Sequence, residues 1–418
     1  MQLDVIGIGV GEQATLTPEA SRAITEAHWL IGADRQLETV ASLPGNAQHK
    51  QLPTLSELKQ WLQPFEQSDQ RLVLLASGDP LFYGIGSWIQ RNFSEADIRF
   101  HANVSSIQAA CHSVGWALQD LTVVSLHGRP KRRLRSKLGN HQRYAVLTDS
   151  QSQPHLLAAE LLQSGFEQST LIVCERLGYP NQKITHHRAI DIAEPMDVDP
   201  LHVTLIDCRG RGGVLPEFPG IPDHHFSTDG DTGRGLLTKR EVRLQVLSLL
   251  QPAAGEIGWD IGAGCGGVAI EWARWTPGAQ IYAIEHHNGR IEHLEHNRDR
   301  FGVDANLNVI TGRAPAALAD LPAPDRIFIG GSGGEMKEIF QHCWQQLKSG
   351  GVMVATAVTE NSKLGLQQLT APLAAQPGNQ LEWLDIAVSR EDRLAGQLLM
   401  RPQLPVRLMK LSKGAAHV

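Results

Sequence analysis

The sequence predicts an α/β protein made of two successive domains, and three observations carry that reading. Apolar runs of strand length alternate with helix-patterned segments along most of the 418 residues, the pattern of layered sheets and helices. Two of those runs pass directly into glycine turns that open helices. The alternation breaks once, between about Asp207 and Gly235. There Arg209-Gly-Arg-Gly-Gly213, Pro216, Pro219, Pro222 and Gly230-Asp-Thr-Gly233 leave little hydrophobic periodicity. Residues 208–235 are therefore read as a connector between a first domain over 1–207 and a second over 236–418. A chain of this length is too long for one ordinary core.

In the first domain, residues 2–8 read as a strand running into Gly7, Gly9 and Gly11. Thr15-Leu-Thr-Pro-Glu19 starts a helix, with Thr17 as N-cap and Pro18 at the first helical position. Strands follow at Trp29–Ile31 and Leu72–Ala76, the second ending in the loop Ser77-Gly-Asp-Pro-Leu-Phe-Tyr-Gly84. An extended piece over Ile98–His101 leads through Asn103-Val-Ser-Ser106 into a helix over Ile107–Val114. A second layer reads as strands at Leu121–Leu126, Tyr144–Thr148, Ser169–Cys174 and Leu201–Ile206, with a helix over Leu156–Leu162 among them. Asp79 lies at the carboxyl end of an apolar strand, where open α/β sheets place ligand contacts. On chemistry alone, a plain Asp-Pro turn accounts for the same residues equally well.

In the second domain a helix over Lys239–Leu250, with Thr238 as N-cap, precedes an apolar strand over Glu256–Ile261. The strand runs into Gly262-Ala-Gly-Cys-Gly-Gly267 and straight on into a helix. Such a turn lets backbone N–H groups at a helix start approach an anionic group closely. Glu285, 23 residues past Gly262 and at the end of the next strand (Gln280–Glu285), stands where a nucleotide ribose is gripped. An adenosine-containing cofactor follows, but the glycine spacing leaves its identity open. Gly262, Gly264 and Gly267 satisfy the dinucleotide pattern G-x-G-x-x-G; Gly262, Gly264 and Gly266 satisfy the G-x-G-x-G turn of S-adenosylmethionine enzymes. Asp260 favours the second, since a carboxylate there repels a pyrophosphate and suits a cationic sulfonium. Gly312-Arg-Ala-Pro-Ala-Ala-Leu318 and Asp325-Arg-Ile-Phe-Ile-Gly330 fall where such methyltransferases place an adenine loop and an active-site strand. The βα alternation continues to about Met400.

Bulk properties exclude several classes. The chain is 42% hydrophobic and 20% charged with a formal charge of −6, so a general nucleic-acid binder is not expected. Lys131-Arg-Arg-Leu-Arg135 is the one basic cluster, and it reads equally as a solvated face or an anion site. The five cysteines are scattered and never in CxxC, which points to reduced thiols and away from a zinc site. His293 and His296 share a helix face, but among Glu292, Glu295, Asn297 and Arg298 they read as solvated surface. His186-His187 and His224-His225 fall in apparent loops. No run approaches a membrane span and no basic stretch leads into an apolar one at the N-terminus, so a cytoplasmic protein is expected.

Together, Val5-Ile-Gly-Ile-Gly9 with Gly11, the Ser77–Gly84 loop, Val104-Ser-Ser106 and Leu126-His-Gly-Arg129 resemble the tetrapyrrole methylase family, most of all its branch acting at C5 of the precorrin ring. Pro219-Gly-Ile-Pro-Asp223, Leu237-Thr-Lys-Arg-Glu-Val-Arg243 and the Asp260–Gly267 turn resemble the companion family that methylates C15 and removes a carboxylate. Both in one chain, in this order, are similar to the fused decarboxylating precorrin methyltransferases of cobalamin synthesis. The resemblance implies a two-lobed tetrapyrrole methylase fold followed by a Rossmann-like methyltransferase domain. It also implies methylation of C5 and C15 of precorrin-6B and loss of the C12 acetate carboxyl, giving precorrin-8X. Two S-adenosylmethionine sites per chain are implied. In the first, Ser77, Gly78, Asp79, Phe82, Ser105 and Ser106 line the cofactor, while Gly9, Gly11, His127 and Arg129 face the macrocycle. In the second, Thr238, Gly262, Ala263, Gly264, Cys265, Gly266, Glu285 and Ala314 hold the cofactor. Gly331 and Ser332, within Gly330-Gly-Ser-Gly-Gly334, make room for a large flat substrate. A homo-oligomer is implied as well.

Two departures bear on these sites. Ala102-Asn103 replace the family's Pro-Gly, and asparagine tolerates the left-handed conformation such a turn uses. Arg313 stands where an acidic residue is common, so adenine is expected to be read by backbone near Ala314. No triad or paired-carboxylate motif is present, as befits methyl transfer from a sulfonium, which needs alignment more than acid–base groups. The proton donor for the decarboxylation is not assigned. Arg129, Lys131, Arg132 and Arg133, and beside the second site Lys239 and Arg240, are candidates for gripping the substrate's carboxylates. Competing readings are a sirohaem-type methylase fused to an NAD-dependent dehydrogenase, an RNA or protein methyltransferase, and a non-enzymatic corrinoid carrier.

Overall fold

The computed structural model describes every residue except 193, 213–215, 217, 231–234 and 415–418. Gly213 and Asp231-Thr-Gly-Arg234 of the expected connector thus lie outside the described residues. The chain forms two compact units, one of residues 1–131 and 140–211, the other of residues 132–139 and 212–418.

The first unit contains two five-stranded sheets. The first is built from β1 (Gln2–Gly7), β2 (Trp29–Gly32), β3 (Gln48–Gln51), β4 (Arg71–Ala76) and β5 (Asp97–His101), in the order β3-β2-β4-β1-β5. All its pairs are parallel. Leu3, Val5, Ile31, Leu72 and Leu74 pack on one face against Leu58 and Leu62. Ile6, Leu30, Val73 and Leu75 pack on the other against Ala20 and Ile24. Burial on both faces is why these strands read as unbroken apolar runs. The helix Pro18–Thr25 begins as expected, with Thr17 Oγ1 accepting from the Ala20 N–H at 3.2 Å.

The second sheet of this unit comprises β6 (Thr122–Ser125), β7 (Arg143–Leu147), β8 (Thr170–Glu175), β9 (Lys183–Arg188) and β10 (His202–Asp207), in the order β6-β7-β10-β8-β9. Only β6 and β7 run parallel. Ile107, Ala110 and Cys111 of the helix Ser106–Val114 pack on Ala145, Ile172, Val203 and Leu205 of this sheet. His186 and His187, expected in a loop, lie instead in the edge strand β9.

The second unit is a seven-stranded sheet with helices on both faces. Its strands are β11 (Ile257–Ile261), β12 (Gln280–Glu285), β13 (Leu307–Thr311), β14 (Arg326–Ile329), β15 (Val352–Ala357), β16 (Gln380–Ile386) and, after the two-stranded hairpin of β17 (Ser389–Leu394) and β18 (Gln397–Pro402), β19 (Val406–Ser412). The order is β13-β12-β11-β14-β15-β19-β16. The first five are parallel and β19 is antiparallel to both its neighbours. Helices Arg240–Leu250, Gly267–Trp275 and Asn288–Arg300 cover one face. Met336–Gln346 and Glu360–Ala374 cover the other. The strand order reverses between β11 and β14, the point where open α/β sheets open a crevice.

The connector's second half is not free of this core. Ile221 and Phe226 are 0% and 3% exposed and belong to the cluster beneath Gly267–Trp275. They are held by Arg243, fully buried, whose Nε donates to Glu271 at 3.2 Å and whose Nη1 donates to Asp223 and to the Thr238 carbonyl, each at 2.6 Å. Glu271 accepts in turn from the N–H groups of Gly220 and Ile221, at 2.9 Å each. The Arg243 guanidinium stacks on Phe226 at 4.8 Å. The expected cap is corrected by the same contact. The helix begins at Arg240 behind Lys239 without a side-chain cap, and Thr238 contributes its carbonyl rather than its hydroxyl.

Candidate functional site

In the first unit Gly9, Gly11, Ser77, Gly78, Asp79, Phe82, Ser105 and Ser106 gather beyond the carboxyl ends of β4, β1 and β5. These strands are neighbours, so the turns that follow them stand side by side. The Gly78 N–H donates to the Gly9 carbonyl at 2.9 Å, and a Cβ on Gly7 would lie 2.4 Å from the Gly78 carbonyl oxygen. Asn103 ties the corner by donating from Nδ2 to the carbonyls of Gly7 (2.8 Å) and Thr15 (2.6 Å). Its φ is not positive. The amide side chain, not a left-handed backbone, therefore holds this corner.

Gly9, Ser77, Gly78 and Ser106 line a cavity of about 190 Å³. It is also bounded by Cys174 of β8, by Arg176, Leu177 and Tyr179 just after that strand, and by Pro200 to Val203 at the start of β10. Burial, with Cys111 nearby, pushes the Cys174 thiol up to about 12, so it stays protonated. Other predicted residues support the cavity without lining it. Asp79 Oδ1 accepts from the N–H groups of Leu81 (2.8 Å) and Phe82 (3.0 Å), closing its own loop. Ser105 caps the helix, accepting from the Gln108 N–H at 3.2 Å, and Phe82 packs beside Ile107 and Cys111. Gly11 lines a neighbouring groove of about 720 Å³, shared with Gly9 and Asn103. His127 and Arg129 are exposed and line neither space; Arg129 Nη1 donates to the Ser125 carbonyl at 3.3 Å.

In the second unit the turn after β11 has φ of +69° at Gly262, +58° at Gly264 and +89° at Gly266, values that L side chains rarely adopt. Each N–H of the turn is already bonded. Those of Gly262 and Ala263 donate to the Ile284 carbonyl (3.0 Å each), Cys265 to Leu236 (3.2 Å) and Gly266 to Ala263 (2.9 Å). The Gly264 N–H donates to Glu285 Oε2 at 2.9 Å. This corrects the expectation of free N–H groups aimed at an anion: a carboxylate of the chain itself occupies that position. Glu285 is 3% exposed, and its Oε1 accepts from the N–H groups of His286 (2.9 Å) and His287 (3.0 Å). Beneath it, burial pushes the Asp260 carboxyl up to about 7, against an opposing N–H bond from Ala269 and with the charge of Glu285 adding to the rise.

Gly262, Glu285, Ala314, Gly331 and Ser332 line one cavity of about 170 Å³. The cofactor turn and the glycine loop expected for the substrate therefore face the same space. Arg313 crosses this pocket wall, donating to Glu335 at 2.8 Å and to the Gly333 carbonyl at 3.0 Å, so it pins the glycine loop. Arg290 donates to Asp229 at 2.8 Å. Ala263, Gly264, Cys265, Gly266 and Thr238 support the turn or lie beside it without lining the cavity. Of the basic candidates, Arg132 and Arg133 are held by Asp304 (3.6 and 3.1 Å) within this unit. Lys239 and Arg240, with Arg390 and Arg401, line a groove of about 920 Å³.

Sequence reasoning missed Arg35, Arg176, Tyr179 and Pro200–Val203 in the first unit, and Leu236, Arg290 and Ile339 in the second. A signal existed for one group: Arg176-Leu-Gly-Tyr-Pro180 is a Gly/Pro turn directly after an apolar strand, as at both predicted sites. Arg35 carries no such mark.

Residues 2–193 match the family model described as tetrapyrrole (corrin/porphyrin) methylases, and residues 225–413 match the precorrin methyltransferase domain. The chain is 40% identical to a Sinorhizobium protein named precorrin-6Y C(5,15)-methyltransferase [decarboxylating], over 99% of this chain and 96% of that one. It is 31% identical to the protein of the same name from Mycobacterium tuberculosis, over 98% of this chain and 99% of that one. The crystal structure titled precorrin-6Y C5,15-methyltransferase from Geobacter metallireducens is 33% identical; it covers 46% of this chain and 98% of that one, with a TM-score of 0.42. The chain belongs to the family of decarboxylating precorrin-6Y C5,15-methyltransferases, a tetrapyrrole methylase domain followed by a precorrin methyltransferase domain.

Proposed function

We propose that the chain methylates C5 and C15 of a precorrin ring and removes its C12 acetate carboxyl, with one S-adenosylmethionine site in each unit. Residues 1–207 are assigned to C5, residues 236–418 to C15 and the decarboxylation, and 208–235 to the join. The observation that carries this is the closed glycine turn of the second unit. A dinucleotide's pyrophosphate needs free N–H donors, whereas here every N–H from Gly262 to Gly266 is bonded and two buried carboxyls, Asp260 and Glu285, lie beneath. That donor-poor, acid-floored turn fits a cationic sulfonium cofactor and disfavours the NAD alternative.

Gly262, Glu285 and Ala314 would hold one cofactor, and Gly9, Ser77, Gly78 and Ser106 the other. S-adenosylmethionine supplies an electrophilic methyl group for direct attack by an electron-rich ring carbon. The chain's own task is alignment and exclusion of water. Arg313 and Arg290 do this in the second unit by fixing the pocket walls through Glu335 and Asp229. On loss of carbon dioxide, the electron pair of the breaking bond passes into the conjugated ring iminium.

The same reading makes the protein a cytoplasmic homo-oligomer. No described helix is long and apolar enough to cross a membrane. The β17–β18 hairpin leaves Leu394, Leu398, Met400 and, just beyond it, Leu404 between 61% and 77% exposed, an apolar surface of the kind that marks a protein contact.

Titration calorimetry of S-adenosylhomocysteine into the whole chain tests the proposal. Two sites per chain are expected, with Gly264→Val abolishing one and sparing the other. A single site, or NAD binding to the second unit, would overturn it.

A further inference from the structure

The first unit's cavity holds two guanidinium groups, and only one of them has a carboxylate. Arg176 pairs with Asp199 at 3.2 Å, donates to Asn181 at 2.7 Å and stacks on the Tyr179 ring at 4.8 Å. Arg35 meets neutral hydroxyls instead: Nη2 donates to Ser77 Oγ at 3.1 Å and Nη1 to the Tyr179 hydroxyl at 3.4 Å. No Asp or Glu oxygen lies within 4.0 Å of it among the described residues.

The hydroxyls around Arg35 are themselves poised to donate. Ser77 Oγ accepts from both Arg35 and Gln36, each at 3.1 Å, which leaves its proton for a third group. Tyr179 accepts from Arg35 and keeps its own proton to give. Three donors from three separated segments, the helix Asp34–Thr39, the end of β4 and the turn after β8, therefore border one cavity. A donor cluster around a planar fork that faces no carboxylate is built for an anion, and for a carboxylate in particular, which such a fork engages with two parallel bonds.

We propose that Arg35, with Ser77 and Tyr179, is a carboxylate receptor in the first site. The proposal rests on the reading of this unit as a methyltransferase. Two partners of that reaction carry the group: the amino-acid end of the methyl donor and the acid side chains of the tetrapyrrole. The shared chemistry is the carboxylate, and the experiment separates the sources.

The whole chain carrying Gly264→Val, so that only the first site is read, is titrated with S-adenosylhomocysteine and with 5′-methylthioadenosine, which lacks the amino-acid carboxylate. The same titrations follow with Arg35→Met and Arg35→Lys added. KM and kcat for C5 methylation of the precorrin are measured alongside. A receptor for the donor predicts that Arg35→Met weakens S-adenosylhomocysteine about 10- to 100-fold while methylthioadenosine is unmoved, with Arg35→Lys between. A receptor for the tetrapyrrole predicts unchanged S-adenosylhomocysteine binding and a similar rise in KM at steady kcat. Both titrations and KM holding within about twofold would overturn the receptor. So would equal weakening of the two nucleosides, which marks a purely structural role. A first site that binds neither nucleoside before Arg35 is changed overturns the methyltransferase reading of the unit, and the receptor with it.

Discussion

At Gly264 the backbone sits at φ +58°, and a Cβ would meet the Leu236 carbonyl oxygen at 2.7 Å. Alanine there is penalised twice, by conformation and by contact, so Gly264→Ala should cost ~1–3 kcal/mol of stability and most of the second site's affinity. Chemical denaturation and calorimetry on the same variant check both. Asp260 gives a pH signature. Its folded pKa of about 7 lies above the ordinary value of 3.8, so the folded state binds the extra proton between those values. Its contribution to stability is therefore full below pH 4 and is lost as pH rises through 7. Asp260→Asn abolishes that loss, and the melting temperature of the variant should gain on the parent from pH 4 to pH 7 and level off above that. A constant difference across that range would refute the burial argument. Gly262, Glu285, Ala314, Ser77 and Gly78 were legible in the sequence because turns after strands have a compositional mark. Arg35 and Arg176 were not: a guanidinium looks the same in sequence whether a carboxylate faces it or not.

Among the elements, the apolar strands were legible to within a residue or so, because burial on both faces leaves an unbroken hydrophobic run. The edge strands β3 (Gln-His-Lys-Gln) and β9 (Lys-Ile-Thr-His-His-Arg) carry no such run, and backbone pairing alone defines them. The packing of the connector's second half was hidden for a related reason. Its glycines and prolines hide Ile221 and Phe226, which the buried Arg243–Glu271–Asp223 group draws into the second core. Arg243→Met leaves Glu271 buried without its cation and should cost ~3–5 kcal/mol. Arg243→Met with Glu271→Leu should recover part of that loss. Urea unfolding of the single and double variants measures the coupling, and additive losses would show that the pair is not the link.

For the molecule as a whole, the order of the two motif sets along the chain was the strongest signal of family, since each alone is shared with many enzymes. What composition could not show is whether the chain associates with copies of itself. The exposed face of the β17–β18 hairpin pairs Glu391 with Met400 and Arg393 with Leu398, mixing apolar and opposite charges as a self-complementary surface does. If the chain is an oligomer held by this face, Leu398→Asp with Met400→Asp should lower the mass seen by light scattering after size exclusion while both S-adenosylhomocysteine sites persist; an unchanged mass, or a parent of monomer mass, rules this contact out. The central claim, two methyl transfers from two units, is tested most directly by the mass of the product formed from precorrin substrate and methyl-labelled S-adenosylmethionine. The parent chain should add two labelled methyl groups and remove one carboxyl. Gly264→Val should never exceed one methyl and should release no carbon dioxide, and Gly78→Val, altering the turn at φ +66°, should never exceed one methyl. Two labelled methyl groups from either variant, or carbon dioxide from Gly264→Val, would contradict the account.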